Sequence, residues 1–581
     1  INLKMVEADK SKWLLTAEEV KDIDLNSCIN ISVGVMGHID SGKTSLCRAL
    51  TTIASTAALD KHPQSKERGI TLDLGFSAFF TRFPTSKFPD VPLKYVQFTL
   101  VDCPGHASLI KTIIGGASII DMMILVIDIT KGIQTQTSEC LVIGEIMMPK
   151  LIVILNKVDM LPKENRGELI MKKIEAFRKI FEKTKFGGSI QIVPIAAAIG
   201  ADEKGTETYG IDELVQTLVN SMSLPDRNMA GPFYYLIDHC FTIKGQGTVV
   251  TGTVLQGQVQ TGQEVEFPDL KQTKKVKSIQ MFKKPVDKAI QGDRVGILFT
   301  QLDSKLIERG IACKPDLFKP VKYVVVLAER VPYYKADIKN KMKFHITSGH
   351  QTVMAKIQMF KPQGIAIEKF QISDSNFKMM SKELPKLSFE TTTYEIVDEL
   401  LNPKALASQG LPPTQQIYML LEFETPFLAH EGIVIIGSKL DTDVEATICR
   451  IAFSARVLQL FDAKEPKDLS FIKIIREKKR KGVVDRVLDH QNILISEMFS
   501  KYSDITPFVG KKVEIPAVQK RATIKGTFGQ SGKIKAQLEG FGFNPNSEEE
   551  KLAFEEKVLG TDVFIKLEKY LFKKDVAIKK Q

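Results

Sequence analysis

The chain contains no hydrophobic run long enough to cross a bilayer. Its most apolar stretch, 117–129, is interrupted by Asp121 and Asp128 and falls short of the ~20 residues that a spanning helix needs. It has no CxxC pair either. Seven cysteines (Cys28, Cys47, Cys103, Cys140, Cys240, Cys313, Cys449) are odd in number and scattered over 581 residues. That argues against a disulfide framework or a cysteine-based zinc site and for a reducing compartment. With no basic-then-apolar leader and no Arg/Ser-rich transit segment, a cytoplasmic protein with no membrane contact is expected. Internal repeats and low-complexity tracts are missing, and tryptophan occurs once, at Trp13. Disorder as the main state is excluded as well, because 43% of the residues are hydrophobic and 26% are charged with both signs mixed.

What is present suits about three to five domains. Between residue 31 and about 229, near-continuous apolar runs (31–36, 97–101, 122–127, 151–155, 190–195) alternate with helical patterns, notably 42–50 and 166–183. Such alternation predicts a parallel sheet covered on both faces. A Pro/Asn/Gly-containing stretch, 224–232, reads as a linker. Short alternating runs punctuated by glycine follow, as in Gly245-Gln-Gly-Thr-Val-Val-Thr-Gly252, and predict an antiparallel β-barrel over 230–320. A second β-barrel domain is expected over 321–470, with a polar, Pro-containing insertion around 362–413. From 471 to 581 there are 23 Lys/Arg against 15 Asp/Glu, a balance of +8 out of the chain's +11. A basic, β-rich C-terminal domain facing a polyanion is one reading of that excess, and a solvated surface is the other. Residues 1–30 form an N-terminal extension with no pattern of known role. The fold class is therefore multidomain: an α/β phosphate-loop domain, two β-barrels and a basic β-rich domain.

The chemistry is concentrated in the first domain. Gly37-His-Ile-Asp-Ser-Gly-Lys-Thr44 matches GxxxxGK[ST], with about 0.04 chance matches expected for this composition. Its glycines let backbone N–H groups converge on phosphates, Lys43 offsets the β/γ charge, and the Thr44 hydroxyl suits Mg²⁺. Asp102-Cys-Pro-Gly-His106 ends an expected strand, where Asp102 can hold Mg²⁺ through water. Asn156-Lys-Val-Asp159 ends another, and its Asp159 can accept two hydrogen bonds from guanine that adenine cannot supply. Arg68-Gly-Ile-Thr71 lies between the phosphate loop and Asp102, where a second Mg²⁺-sensing threonine belongs. Each of these three is weak alone; in this order behind the phosphate loop they indicate a guanine-nucleotide switch.

Those segments resemble the translational GTPase superfamily. The resemblance implies ribosome-stimulated hydrolysis of GTP to GDP and phosphate, with His106 after Pro104 and Gly105 positioning the hydrolytic water. It implies a GTP site built from Gly37, His38, Ile39, Asp40, Ser41, Gly42, Lys43, Thr44, Thr71, Asp102, Pro104, Gly105, Asn156, Lys157, Asp159, Ala196 and Ala197, with Thr44, Thr71 and Asp102 (through water) holding Mg²⁺. One departure stands out: the superfamily's base-side Ser-Ala-Lys reads Ala196-Ala-Ala198 here, which removes a lysine packed on the guanine.

Further segments narrow the likeness. Asp238-His-Cys-Phe-Thr-Ile-Lys-Gly-Gln-Gly-Thr-Val-Val-Thr-Gly252, Gln291-Gly-Asp-Arg-Val-Gly296, Lys343-Phe-His-Ile-Thr-Ser-Gly-His350 and Gly526-Thr-Phe-Gly-Gln-Ser-Gly-Lys533 are similar to the selenocysteine-specific elongation factors of eukaryotic type. That family delivers selenocysteinyl-tRNA to the ribosome at recoded UGA codons, and the resemblance implies the same substrate here. It carries the aminoacyl pocket onto Asp238, His239 and Arg294. A selenol is more acidic than a thiol, so a pocket that tells selenocysteine from serine should offer positive charge and donors to a soft anion. Without the resemblance, His239 reads as a structural side chain and Arg294 beside Asp293 as a turn ion pair. The last domain is implied to engage the tRNA, the selenocysteine insertion element RNA and that element's binding protein. Lys478, Lys479, Arg480, Lys481, Lys511, Lys512, Lys520, Arg521, Lys533 and Lys535 are the candidate phosphate contacts. A monomer is expected. Two rival readings remain open: a general elongation factor or initiation-factor γ-type GTPase, and an RNA-binding scaffold that GTP only stabilises.

Overall fold

The structure is a computed structural model that describes residues 13–51, 53–54, 75–103, 119–148, 150–198, 208–282, 284–364, 387–389, 391–408, 410, 416–441, 449–529 and 532–572. The chain divides into two compact units: Ile1–Ile357, Gln371–Pro385 and Glu399–Asp462 form the first, and Gln358–Phe370, Lys386–Asp398 and Ala463–Gln581 the second. No helix among the described residues is long and apolar enough to cross a membrane.

The first unit opens with the expected α/β domain. Its sheet runs Ile53–Ala54, Gly75–Arg82, Tyr95–Asp102, Cys28–Gly37, Met122–Asp128, Leu151–Asn156, Gln191–Pro194. The last five strands are mutually parallel, and Gly75–Arg82 joins antiparallel to Tyr95–Asp102. Every residue of Met122–Asp128 is buried, as a strand with helices on both faces requires. Cys28–Gly37 lies between Tyr95–Asp102 and Met122–Asp128, so the loop after it sits where the strand order reverses, the usual crevice for a ligand in an open α/β sheet.

Two closed barrels complete this unit. In the first, Tyr234–Ile243 pairs with Gly247–Gln256 and Gly247–Gln256 with Arg294–Phe299, and Glu264–Phe267 closes the ring by pairing with both Gly310–Cys313 and Gln272–Met281. In the second, Lys343–Ser348 pairs with both Val434–Ser438 and Gln351–Pro362 to close a ring containing Ile451–Phe461, Lys319–Arg330 and Gln416–Ala429. The expected linker is tethered rather than free. Arg227 reaches both Asp121 carboxylate oxygens at 2.7 and 2.8 Å and the Asn30 carbonyl at 2.9 Å. It lies so close over Gly292 that a Cβ there would stand 2.3 Å from its Cζ. Glu139, buried on the Thr135–Met147 helix, receives a two-pronged bond from Arg450 at 2.8 and 2.9 Å, which docks the second of these two barrels on the α/β domain.

Residues before Cys28 also find a place. Leu15 N–H donates to the Phe80 carbonyl and Arg82 N–H to the Trp13 carbonyl, so the extension borders the Gly75–Arg82 strand. Leu15, Val20 and Ile23 bury themselves against Phe80. The Lys284 ammonium, from the first barrel, donates to the carbonyls of Val20, Lys21 and Ile23 at 3.2, 2.8 and 3.0 Å.

The second unit contains its own barrel. Ile474–Val487 pairs with Asn492–Ser496 and Asp562–Tyr570, and Lys533–Leu538, Lys520–Phe528 and Lys512–Ile515 complete the ring. Val484, Ile495, Val513, Ile524, Ile534 and Ile565 fill it. Residues 386–398, read from sequence as part of an insertion in the preceding barrel, group with this unit: Tyr394–Ile396 pairs in parallel with Ile474–Val487.

The packing of the two barrels in the first unit makes a prediction. His430 lies edge-on to Tyr234 and Phe318, with ring centroids 5.9 and 4.7 Å away. Burial lowers its pKa to about 4, against a smaller raising effect of the Glu431 carbonyl. The unfolded chain therefore binds a proton first as pH falls below ~6.5, and stability present above that value is lost on the way down to 4. The loss amounts to about 3 kcal/mol at its limit. His430→Gln should flatten the decline in unfolding temperature between pH 6.5 and 4.5; a slope unchanged from the parent would show that this ring is not the titrating group.

Candidate functional site

The nucleotide loop is shaped by glycine where only glycine fits. Gly37 has φ 149° and a Cβ there would meet the Val126 carbonyl oxygen at 2.3 Å; Gly42 has φ 90° and its Cβ would meet Asn156 Nδ2 at 2.2 Å. Lys43 then opens the Lys43–Leu50 helix. Its ammonium folds back on the loop and donates to the His38 carbonyl at 2.7 Å. Burial lowers the Lys43 pKa and the Asp102 charge opposes that shift, so an anion in the loop would restore the charged form. Thr44 Oγ1 donates to Asp102 Oδ2 at 2.7 Å, bringing two hard oxygens together beside the lysine. Asp102 ends Tyr95–Asp102.

The base side is held by Asn156. Its Nδ2 donates to the Ser41 carbonyl at 2.9 Å, and its Oδ1 accepts from Ala197 N–H at 3.1 Å. Ala196 exchanges backbone bonds with Tyr209, so the position of 196–197 is fixed by main chain and does not depend on the missing lysine. Lys157 takes a left-handed φ of 66° and pairs with Asp128 at 2.9 Å. Asp159 lies half-buried on the one-turn Val158–Met160 helix. Thr71, Pro104, Gly105 and His106 lie outside the described residues.

A second cluster forms in the first barrel. Asp238 sits at a bulge, where the pairing of Tyr234–Ile243 with Gly247–Gln256 slips between Ile237 and His239, a feature that re-aims a side chain. Arg294 faces Thr253 in the register of the neighbouring strand. Both are buried, at about 5% exposure, and Arg294 Nη1 donates to Asp238 Oδ2. Burial alone would raise the Asp238 carboxyl, but the Arg294 charge, helped by His350, outweighs it and holds the group at about 2. The guanidinium lies 3.1 Å over the ring of Phe76, on the strand that follows 55–74. Its Nη2 is buried without a hydrogen-bond partner among the described residues. His239 is half-buried on the same strand as Asp238. The three candidate pocket residues thus lie on neighbouring strands of one barrel, with Arg294 carrying a donor that no described residue uses.

Residues 29–223 match the Elongation factor Tu GTP binding domain and 247–311 the Elongation factor Tu domain 2. Residues 325–455 match the third domain of the eukaryotic selenocysteine-specific elongation factor, and 471–574 the eEFSec C-terminal RIFT domain. The chain is 46% identical to the selenocysteine-specific elongation factor of Mus musculus over 528 residues, 89% of this chain and 90% of that protein. To that of Methanocaldococcus jannaschii it is 33% identical, over 88% and 94% of the two chains. Its structure is similar to that of the elongation factor SelB of Methanococcus maripaludis in complex with the GTP analogue GppNHp. The TM-score is 0.66 and the identity 29%, over 93% of this chain and 99% of that one. The chain belongs to the selenocysteine-specific elongation factors. It is a translational GTPase and binds GTP.

In this selenocysteine-specific elongation factor the basic C-terminal residues are spread over one barrel. Lys478, Lys479, Arg480 and Lys481 lie on Ile474–Val487; Lys511 and Lys512, Lys520 and Arg521, and Lys533 and Lys535 begin or precede three further strands of the same barrel. Arg480 stacks over Phe499 and Phe508, 4.3 and 5.6 Å from their centroids, as part of the local packing. Lys481 pairs with Asp562 at 2.8 Å, Lys512 with Glu539 at 2.6 Å and Lys533 with Asp485 at 2.8 Å, while the Lys520 ammonium donates to the Phe541 carbonyl. The three ion pairs are at least partly exposed and of the weak kind that a phosphate can compete for. Sequence reasoning missed Asp128, Phe76 and His350. Nothing local marks Asp128 or Phe76, whereas His350 stood inside a segment already singled out.

Asn156 yields the test for this site. Asn156→Ala removes both bonds that tie the phosphate loop to the base side, and GTP and GDP affinities should fall about 10–100-fold together. Titration with a fluorescent guanine nucleotide measures this, and parental affinity would mean the loop is held by other contacts.

Proposed function

We propose that this GTPase carries selenocysteinyl-tRNA to the ribosome at recoded UGA codons, and that Asp238, His239 and Arg294 form the pocket for the aminoacyl group. The observation that carries the reading is the buried, fixed guanidinium of Arg294, with a donor turned away from its carboxylate partner. A selenol ionises below the thiol value of ~8.5 and is anionic at neutral pH, while a serine hydroxyl is not. A desolvated cation rewards the anion and leaves the hydroxyl without a matching charge. His239 adds a second donor from the same strand.

In the nucleotide site, Lys43 and the loop N–H groups hold the β- and γ-phosphates. Asp159 accepts two bonds from guanine, and Asn156 and Lys157 support that platform. Thr44, Asp102 through water, and Thr71 are the residues that would hold Mg²⁺; their hard oxygens suit it. Bound there, the ion offsets phosphate charge. His106 orients the water that attacks the γ-phosphate. The protein works as a cytoplasmic monomer. Its basic last domain engages the tRNA, the insertion element RNA and that RNA's binding protein through the ten lysines and arginines named above, of which Arg480 contributes least because it is stacked.

Binding of a single tRNA charged with either selenocysteine or serine, with a non-hydrolysable GTP analogue present, tests the reading. A strong preference for the selenocysteinyl form, lost in Arg294→Ala, is expected. Equal affinities in the parent would move discrimination out of this pocket.

A further inference from the structure

The third domain reaches into this pocket. His350 stands on the turn between Lys343–Ser348 and Gln351–Pro362. Its ring is 13% exposed, and Nε2 lies 3.5 Å from Asp238 Oδ1, the carboxylate oxygen that Arg294 does not use. That contact is longer than an ordinary hydrogen bond, and Nε2 has no hydrogen-bond partner among the described residues. The backbone puts it there. Gly349 has φ 53°, and a Cβ on it would stand 2.9 Å from Leu236 Cδ1, two residues before Asp238. The turn is thereby pressed against the strand that carries the pocket. His345, in the same segment, behaves differently: it accepts from Leu440 N–H at 3.4 Å and faces the exposed Asp441 at 3.5 Å, both within its own barrel.

We infer that His350 is a positioning residue of the aminoacyl pocket, fixing the Asp238 carboxylate and through it the guanidinium of Arg294. The inference rests on the pocket reading above. A guanidinium paired with one carboxylate can pivot between the two oxygens. The His350 ring facing Oδ1 leaves Oδ2 to Arg294, and the stacking on Phe76 sets the plane of the guanidinium, so Nη2 is held in one direction. His350 also draws on the carboxylate's charge, leaving more of the Arg294 field for an anionic side chain. The contact joins the first barrel to the second, so correct docking of the second barrel becomes a condition for discrimination.

The test compares His350→Leu, His350→Gln and Arg294→Ala in the full chain, using one tRNA charged with selenocysteine or serine and a GTP analogue. Leucine fills the space without a polar atom and should lower the selenocysteine-over-serine preference about tenfold, the order expected when a buried carboxylate loses a polar neighbour. Glutamine can donate to the same oxygen and should recover most of the preference. Parental preference in His350→Leu overturns the inference, as does glutamine falling as far as leucine, which would assign the ring to packing alone. Arg294→Ala separates the two levels. If it abolishes the preference while His350→Leu does not, only the role of His350 fails; if it keeps the preference, the pocket reading fails and this inference with it.

Discussion

Burying the Asp238–Arg294 pair is costly, because each ion leaves water at a penalty of several kcal/mol. The pair persists because the surroundings compensate both partners. Asp238 receives Arg294 on one oxygen and faces His350 with the other; Arg294 lies on Phe76 and reaches toward Thr253 at 3.5 Å. Those contacts come from the α/β domain and from both barrels of the first unit, so the pair fixes where the three meet. Arg227 on Asp121 and Arg450 on Glu139 repeat the device at the neighbouring seams. The nucleotide domain and the proposed aminoacyl pocket thus adjoin through one ring, Phe76, on a strand that begins directly after 55–74, the stretch containing Thr71.

Much of this was legible in the sequence, for reasons that differ by element. The parallel strands could be read because burial on both faces leaves runs such as Met122–Asp128 without polar interruption. The phosphate loop could be read because its glycines and lysine answer to a ligand rather than to packing. What could not be read depends on partners remote in the chain. Glu139 on the Thr135–Met147 helix looks like a surface residue until Arg450 is seen against it. Arg227 sits in a stretch with the composition of a linker, yet it binds Asp121 and lies over Gly292. His350 reads in the sequence only as part of a family-like segment, since nothing local says that its turn packs on Leu236.

The basic C-terminal domain corrects an assumption built into counting charges. Its excess of positive residues is real, but Lys481, Lys512 and Lys533 each lie within 2.8 Å of a carboxylate, and Arg480 is occupied with aromatic rings. On the proposed reading, RNA must compete with these pairs, so affinity there reflects the exchange of one partner for another and is smaller than the net charge alone suggests.

The central claim is that the pocket reads negative charge on the aminoacyl side chain. The most direct measurement is the affinity for one tRNA charged with cysteine, followed from pH 7 to 9 with a GTP analogue bound. A thiol titrates near 8.5, so cysteinyl-tRNA should bind weakly at pH 7 and gain affinity as the thiolate forms, while a seryl-tRNA control stays level. Cysteinyl binding that does not change across this range would contradict the account and show that the pocket distinguishes its substrate by something other than charge.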